Sequence, residues 1–416
     1  MSEFFMNSNV FSQSLTGFVL YDPEADSALF DKNGSRFFIP ASNMKIFTLY
    51  ASLKTLPDTL PSLRYTVRND TLWFKGTGDP AFLNPHFDPN GVYEFLKNRP
   101  ETLIYFDNHF EDDHFGAGWP WDWYPASYAP QKSPFPVYGN MIRLQTQQIS
   151  TTTLTDGEPV EPPFFEKYIV NQGRDAEQDE LVTRDYQTNT VFYSPRSDTI
   201  KQVRSIPFIY ETDMITEMLA DTLGRQVDYS DTADFTDESS LYATSSDTLY
   251  KRLIQESDNF VAEQLMLMIS ESLSGTLNTE NAIRYSLVNH FTFLPQLPQW
   301  RDGSGLTRYN LVTPLSLVIL LEKLMDEYGE SKVLNWFPAG GVNGTIEGLY
   351  GAPEGEPPYV YAKTGTLSNH TALSGYIYTD SGRRLIFSTL HNNYVIGNSE
   401  LRQETERLLE LIKRSY

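Results

Sequence analysis

Apolar residues along this chain fall into distinct rhythms, and each rhythm predicts a different kind of element. "GFVLYD" (17–22) and "SALFDKNGSRFFIP" (27–40) read as strands, the second run broken by an Asn33-Gly34 turn signal. From about Ala41 the period becomes helical: Pro40 suits a helix entrance, Ile46, Leu49 and Leu53 share a face, and Leu56-Pro57 ends the pattern. Residues 61 to about 205 differ. There, short aromatic and β-branched runs such as "RYTVRND", "TLWFKG", "TLIYFD" and "TVFYSP" alternate with Pro-, Gly-, Asn- and Asp-rich turns, which predicts a β-rich segment. Helical spacing then returns in "YETDMITEMLADTLG", "SSDTLYKRLIQES", "NFVAEQLMLMISESL" and "TPLSLVILLEKLMDEYG". The last 60 or so residues read as an antiparallel meander followed by a C-terminal helix. The pattern predicts an α/β domain made of residues 1–60 and 206–416, split by an inserted β-rich domain at 61–205.

Composition narrows the chemistry. With 416 residues, 40% of them hydrophobic, the chain can bury a large core in two or three units. Fifty-four acidic against 32 basic residues give a net charge of −22, which argues against nucleic acid or an anionic membrane as partner. There is no cysteine, so disulfides, thiol catalysis and cysteine-ligated metals are excluded. The six histidines form no H-x-x-x-H or H-E-x-x-H pattern, which leaves a zinc peptidase without support, and no cofactor is expected. No apolar run reaches the roughly 18 residues of a membrane span. The first Lys or Arg is Lys32, so a signal peptide's basic n-region is missing.

Three short stretches carry candidate chemistry. In "IPASNMKIFTLY" Ser42 stands three positions before Lys45, on one face of the expected helix. A serine hydroxyl becomes a nucleophile when a neighbouring base takes its proton, and a lysine serves when burial or a nearby positive charge keeps its amine neutral. The competing reading makes Ser42 a helix cap and Lys45 a solvated surface residue. In "ESDNFVAEQL", Ser257 could relay a proton and Asn259 could bind a substrate amide; alternatively Ser or Asp caps a helix beginning near Phe260. In "YVYAKTGTLSNH", Lys363, Thr364 and Gly365 sit at an expected strand end. The strand edge could bind an extended peptide, Gly365 leaving room for the substrate and Lys and Thr holding a carboxylate; the alternative is a plain edge-strand terminus.

S-x-x-K, S-D-N and K-T-G in that order form the signature of penicillin-binding proteins and class A β-lactamases. The chain resembles the penicilloyl-serine transferases, and within them the D-alanyl-D-alanine carboxypeptidase/endopeptidase family of class C low-molecular-mass penicillin-binding proteins (penicillin-binding protein 4 type). "RDGSGLTRYNLVTP" (301–314) resembles that family's D-G-S-G-L-S-R-x-N segment, "KGTGDPAF" (75–82) its G-G-G-D-P-x-L, and "GAGWPWDWYPASYAP" (116–130) its G-W-P-W segment. Positions 42 and 257 lie 215 apart, consistent with the family's large insertion there.

The resemblance implies a serine DD-peptidase/β-lactamase-like transpeptidase domain of the α/β (α+β) class, an antiparallel sheet flanked by helices, with a β-rich inserted domain. It implies a serine-type D-Ala-D-Ala carboxypeptidase, and a DD-endopeptidase where a meso-diaminopimelate cross-link is cut, acting on peptidoglycan stem peptides and acylated by β-lactam antibiotics. Ser42 would attack, Lys45 would act as base, Ser257 would pass the proton to the leaving amine, Lys363 would hold the site's electrostatics, and Asn259 would orient the peptide. Backbone N–H groups of Ser42 and Thr366 would form the oxyanion hole, with Thr364 and Thr366 on the terminal carboxylate. Arg308 belongs to the implied side-chain pocket, a surface ion pair being its other reading. Tyr128 falls where the family has an aromatic residue. Asp122 stands one place from the family's acidic position, and Trp119, Trp121 and Trp123 read as packing residues or stacking platforms. The family acts outside the cytoplasmic membrane, so a periplasmic or extracytoplasmic site with the leader removed is expected. A β-lactamase is the enzymatic rival. Its E-x-x-L-N glutamate is replaced here by Pro80, Ser274 and Ser331 ahead of the three Leu-Asn pairs. A non-catalytic cell-wall binding protein on the same scaffold is the other.

Overall fold

Along the strand Leu15–Asp22, Val19 and Tyr21 enter one hydrophobic core while Phe18 and Leu20 enter another, so the sheet is covered on both faces. A computed structural model describes residues 1–87, 90–146, 160–172, 182–194, 202–232 and 237–416. The sheet has five antiparallel strands in the order Val360–Leu367, His370–Tyr378, Arg384–Asn392, Leu15–Asp22 and Ser27–Lys32. One face packs against helices Met44–Thr55, Ser246–Gln255, Asn259–Ser274 and Pro314–Tyr328. The other is covered by the C-terminal helix Asn398–Ser415, through Leu401, Leu408, Leu409 and Ile412, and by Phe5 and Phe11 from the N-terminal segment.

Met44 through Ser52 are all buried, which marks Met44–Thr55 as the central helix of this unit rather than an amphipathic surface one. The expected helices are present. Thr212–Leu223 and Asn259–Ser274 end on left-handed Gly224 and Gly275, and Thr313 caps Pro314–Tyr328 by accepting from Ser316 N. Thr279–Asn289 and Glu330–Trp336 are further helices that the apolar pattern did not single out.

The inserted unit has its own five-stranded sheet, in the order Val227–Tyr229, Thr102–Tyr105, Thr71–Gly76, Thr59–Arg68 and Ser239–Ser245. Two of these strands lie beyond residue 205. The core beneath them also takes Met214, Ile215, Met218 and Leu219 from helix Thr212–Leu223, next to Leu72, Phe74, Leu103 and Phe135. We therefore propose that the inserted unit extends to Ser245 instead of ending at 205. A helix's apolar stripe is the same whichever core it faces, so the sequence pattern alone does not choose between the two units for this one.

Candidate active site

The turn Ala41–Asn43 is a single 3-10 turn feeding helix Met44–Thr55, and Ala41 is held at φ 47°. No side chain caps that helix. Ser42 is instead half-buried, and Lys45, fully buried, points its Nζ at Ser42 Oγ (3.0 Å), Asn259 Oδ1 (2.6 Å) and the Ser304 carbonyl (2.7 Å). The cap-and-surface-lysine reading fails on both counts.

At the second stretch both readings hold, on different residues. Asp258 caps helix Asn259–Ser274 through Val261 N (3.0 Å) and is itself held by Arg252 Nε at 2.6 Å. This frees its neighbours. Ser257, at φ 57°, presents Oγ to Lys363 Nζ at 2.7 Å, and Asn259 donates from Nδ2 to the Tyr128 carbonyl at 2.8 Å.

K-T-G lies within the edge strand Val360–Leu367, not at its end. Lys363 and Gly365 occupy the face shared with Ser42. An added Cβ at Gly365 would come within 2.7 Å of the Pro40 carbonyl and 3.0 Å of Ser42 N. The glycine thus makes room for the nucleophile turn, where the sequence suggested room for substrate. Asn43 ties the two pieces together by donating from Nδ2 to the Lys363 carbonyl at 3.0 Å. Thr364 and Thr366, at the alternate positions, are set apart from this group. The Thr364 hydroxyl donates to Thr345 Oγ1 at 2.8 Å, and Thr366 is exposed.

Two buried ammonium side chains in one site compete for charge. Burial lowers the Lys45 pKa to about 8, against an opposing pull from Asp302, Glu263 and Asp258. Lys363 is lowered well below its ordinary value by burial and then by the positive charge of Lys45, and among the described residues no carboxylate offsets this. Both causes act against its charged form.

The "RDGSGLTRYN" segment supports the nucleophile from behind. The Asp302 carboxylate accepts from Gly305 N (2.8 Å), Thr307 N (2.7 Å), Asn310 Nδ2 (2.6 Å) and Trp119 Nε1 (2.8 Å). Glu263 accepts from Gly303 N (3.2 Å) and Ser304 N (2.8 Å), which aims the Ser304 carbonyl at Lys45. Its own pKa is raised to about 7, by burial first and by Asp302 second. At Gly305, φ 85°, an added Cβ would sit 1.9 Å from the Ala41 carbonyl oxygen. Asn43, Glu263 and Asp302 were not singled out from the sequence, although each stands inside one of the quoted stretches.

Trp119 is buried as packing, whereas Trp121 is 68% exposed. Arg308 has no carboxylate within 4.0 Å among the described residues. Its guanidinium carbon lies 5.7 Å from the Trp123 ring centroid, so the ion-pair reading is not met. Tyr128 is 45% exposed, with the exposed Asp122 near enough to raise its pKa alongside burial.

A model of the D-Ala-D-Ala carboxypeptidase 3 (S13) family matches residues 3–415. The chain belongs to that family. The serine D-Ala-D-Ala carboxypeptidase class expected from the three motifs is the class of this family. A D-alanyl-D-alanine carboxypeptidase of Actinomadura sp. (strain R39) is 25% identical over 431 residues, covering 92% of this chain and 78% of that protein. The D-alanyl-D-alanine carboxypeptidase DacB of Haemophilus influenzae is 27% identical over 179 residues, 40% of this chain and 36% of that protein. The crystal structure of penicillin binding protein 4 from H. influenzae matches with a TM-score of 0.78 at 21% identity, covering 99% of each chain. That likeness bears on the fold, which is the antiparallel sheet flanked by helices expected from the sequence.

Proposed function

We propose that this chain removes the terminal D-Ala from peptidoglycan stem peptides through an acyl ester on Ser42. The observation that carries the reading is Lys45 Nζ at 3.0 Å from Ser42 Oγ with its pKa lowered to about 8, which leaves roughly one amine in ten neutral at pH 7. Neutral Lys45 takes the Ser42 proton as Oγ attacks the D-Ala carbonyl. The oxyanion forms beside Ser42 N and the edge strand, where the N–H groups of Ser42 and Thr366 stabilise it. As the C–N bond breaks, Ser257 Oγ gives its proton to the leaving amine and is resupplied from the lysine pair; Lys363, 2.7 Å away with its pKa lowered by burial and by Lys45, completes the relay. Water then hydrolyses the ester. Asn259 orients the peptide. The terminal carboxylate would lie along the edge strand, where the Thr364 hydroxyl is already engaged by Thr345 and the exposed Thr366 hydroxyl projects from the face opposite Lys363 and Gly365.

The same machinery would open a cross-link, giving endopeptidase activity, and would be acylated by β-lactams. A structure of the H. influenzae protein holds a β-lactam. Deacylation from penicillin should be slow, since buried Glu263 is bound to two backbone amides and no E-x-x-L-N glutamate stands by to activate water. Fast turnover of a chromogenic β-lactam would instead favour the β-lactamase reading. A peptidoglycan substrate supports a site outside the cytoplasmic membrane. No helix among the described residues is long and apolar enough to span one. Labelling with a fluorescent penicillin and mapping the modified peptide tests the proposal: the adduct is expected on Ser42, with D-Ala release from a pentapeptide lost in Ser42→Ala. An adduct elsewhere, or D-Ala release surviving that substitution, removes it.

A further inference from the structure

Beside the turn that carries Ser257 and Asn259, a cleft of about 270 Å³ opens between the two units of the chain. Asn84, His86, Arg143 and Ser205 line it from the inserted unit, Arg252 and Glu256 from the catalytic unit. Two guanidinium groups thus meet in one concavity of a protein whose net charge is −22. They are not equally satisfied. Arg252 has Asp258 at 2.6 Å. Arg143, with 11% of its side chain exposed, donates one N–H to the Tyr138 carbonyl at 2.9 Å; the only carboxylate within 4.0 Å among the described residues is Glu161, at 3.8 Å. A guanidinium has five N–H donors, and a buried charge without a close counter-ion is costly. Arg143 is accordingly held below its ordinary pKa by burial, and Arg252 adds to the effect. His86 is lowered by burial and by both arginines, so it offers the cleft a neutral ring rather than a third charge.

We propose that this cleft is a carboxylate-binding subsite, in which Arg143 takes a carboxylate of the stem peptide other than the one at its D-Ala terminus. This rests on the stem-peptide function proposed above. The planar fork of arginine matches a carboxylate bidentately. Ser257 and Asn259, which contact the two lysines of the site, also line this cleft, so a peptide held along the S-D-N turn can reach both.

The test compares two stem peptides that differ in one group, a free side-chain carboxylate or its amide, using the full chain. The wild type is expected to favour the carboxylate peptide by about tenfold in kcat/KM, the scale of one charge-assisted hydrogen-bonded contact. Arg143→Gln should bring that ratio to about one. Ser205 pairs directly across the strands from Arg143, so Ser205→Glu would supply an internal carboxylate. It should abolish the preference while leaving the arginine in place, and it covers the case in which Arg143→Gln does not fold. A wild-type ratio near one, or a tenfold ratio that survives both substitutions, overturns the subsite alone. If the wild type cleaves neither peptide, the proposed function falls and the subsite with it.

Discussion

Two serine–lysine pairs meet in this site, and they are built in opposite ways. Ser42 and Lys45 stand three residues apart on one turn, and the lysine lies within the field of Asp302, Glu263 and Asp258. Ser257 and Lys363 stand 106 residues apart, one on a left-handed turn and one on a sheet edge, and among the described residues no carboxylate moderates the lysine's burial. The first pair keeps a proton it can lose near neutral pH; the second is driven towards the neutral amine. In the proposed mechanism, what would separate a base from a relay is the distribution of buried acids, since both lysines are equally hidden from water.

The largest expected effect breaks the comparison outright. Ser42→Ala should abolish the penicillin adduct and cut D-Ala release by roughly 10⁴-fold or more, whereas Ser257→Ala should still acylate, slower by roughly 10²- to 10³-fold. Equal losses in the two variants would mean that the pairs do not have separate roles. Next in size is pH. Acylation should rise as Lys45 loses its proton, with a limb near pH 8 that stays in place in Lys363→Met, because burial and the Lys45 charge both act against a charged Lys363. A limb displaced by a full unit in that variant would show that Lys363 is charged.

Stability gives a third handle. Lys45 is lowered from 10.5 to about 8, so the folded chain binds this proton more weakly than the unfolded chain does. The resulting cost, on the order of 3 kcal/mol, is complete below about pH 8 and fades as pH rises towards 10.5. The difference in Tm between wild type and Lys45→Met should therefore change between pH 7.5 and 10, in the wild type's favour as pH rises. The smallest effect lies farthest from the pairs. Trp119→Phe removes one donor from buried Asp302 and should cost about 1–3 kcal/mol in denaturant unfolding, with a milder loss in acylation rate.

Ser42 and Lys45 were legible because helical spacing alone brings them together, and Asp258, Ser257 and Asn259 because capping chemistry is local. Lys363 was legible only through its motif. Its approach to Ser257 depends on strand order, and the face shown by Thr364 depends on the period-two pleat of a strand whose limits the sequence blurred. Gly365 was read correctly as a close approach, with the wrong neighbour. Glu263 was invisible because an acid inside "NFVAEQLMLMISESL" looks like the polar side of an amphipathic helix until Gly303 and Ser304 are seen to cover it. Helix Thr279–Asn289 buries only Thr279, Ala282, Ile283 and Ser286, too thin an apolar stripe to announce itself.

The Trp119 indole reaches from the long insertion to the same carboxylate around which the D-G-S-G-L-T turn is folded. The insertion thereby helps to hold the turn that backs the candidate site. Any evolutionary or laboratory shortening of this enzyme to a minimal two-layer core would first have to find another prop for that turn.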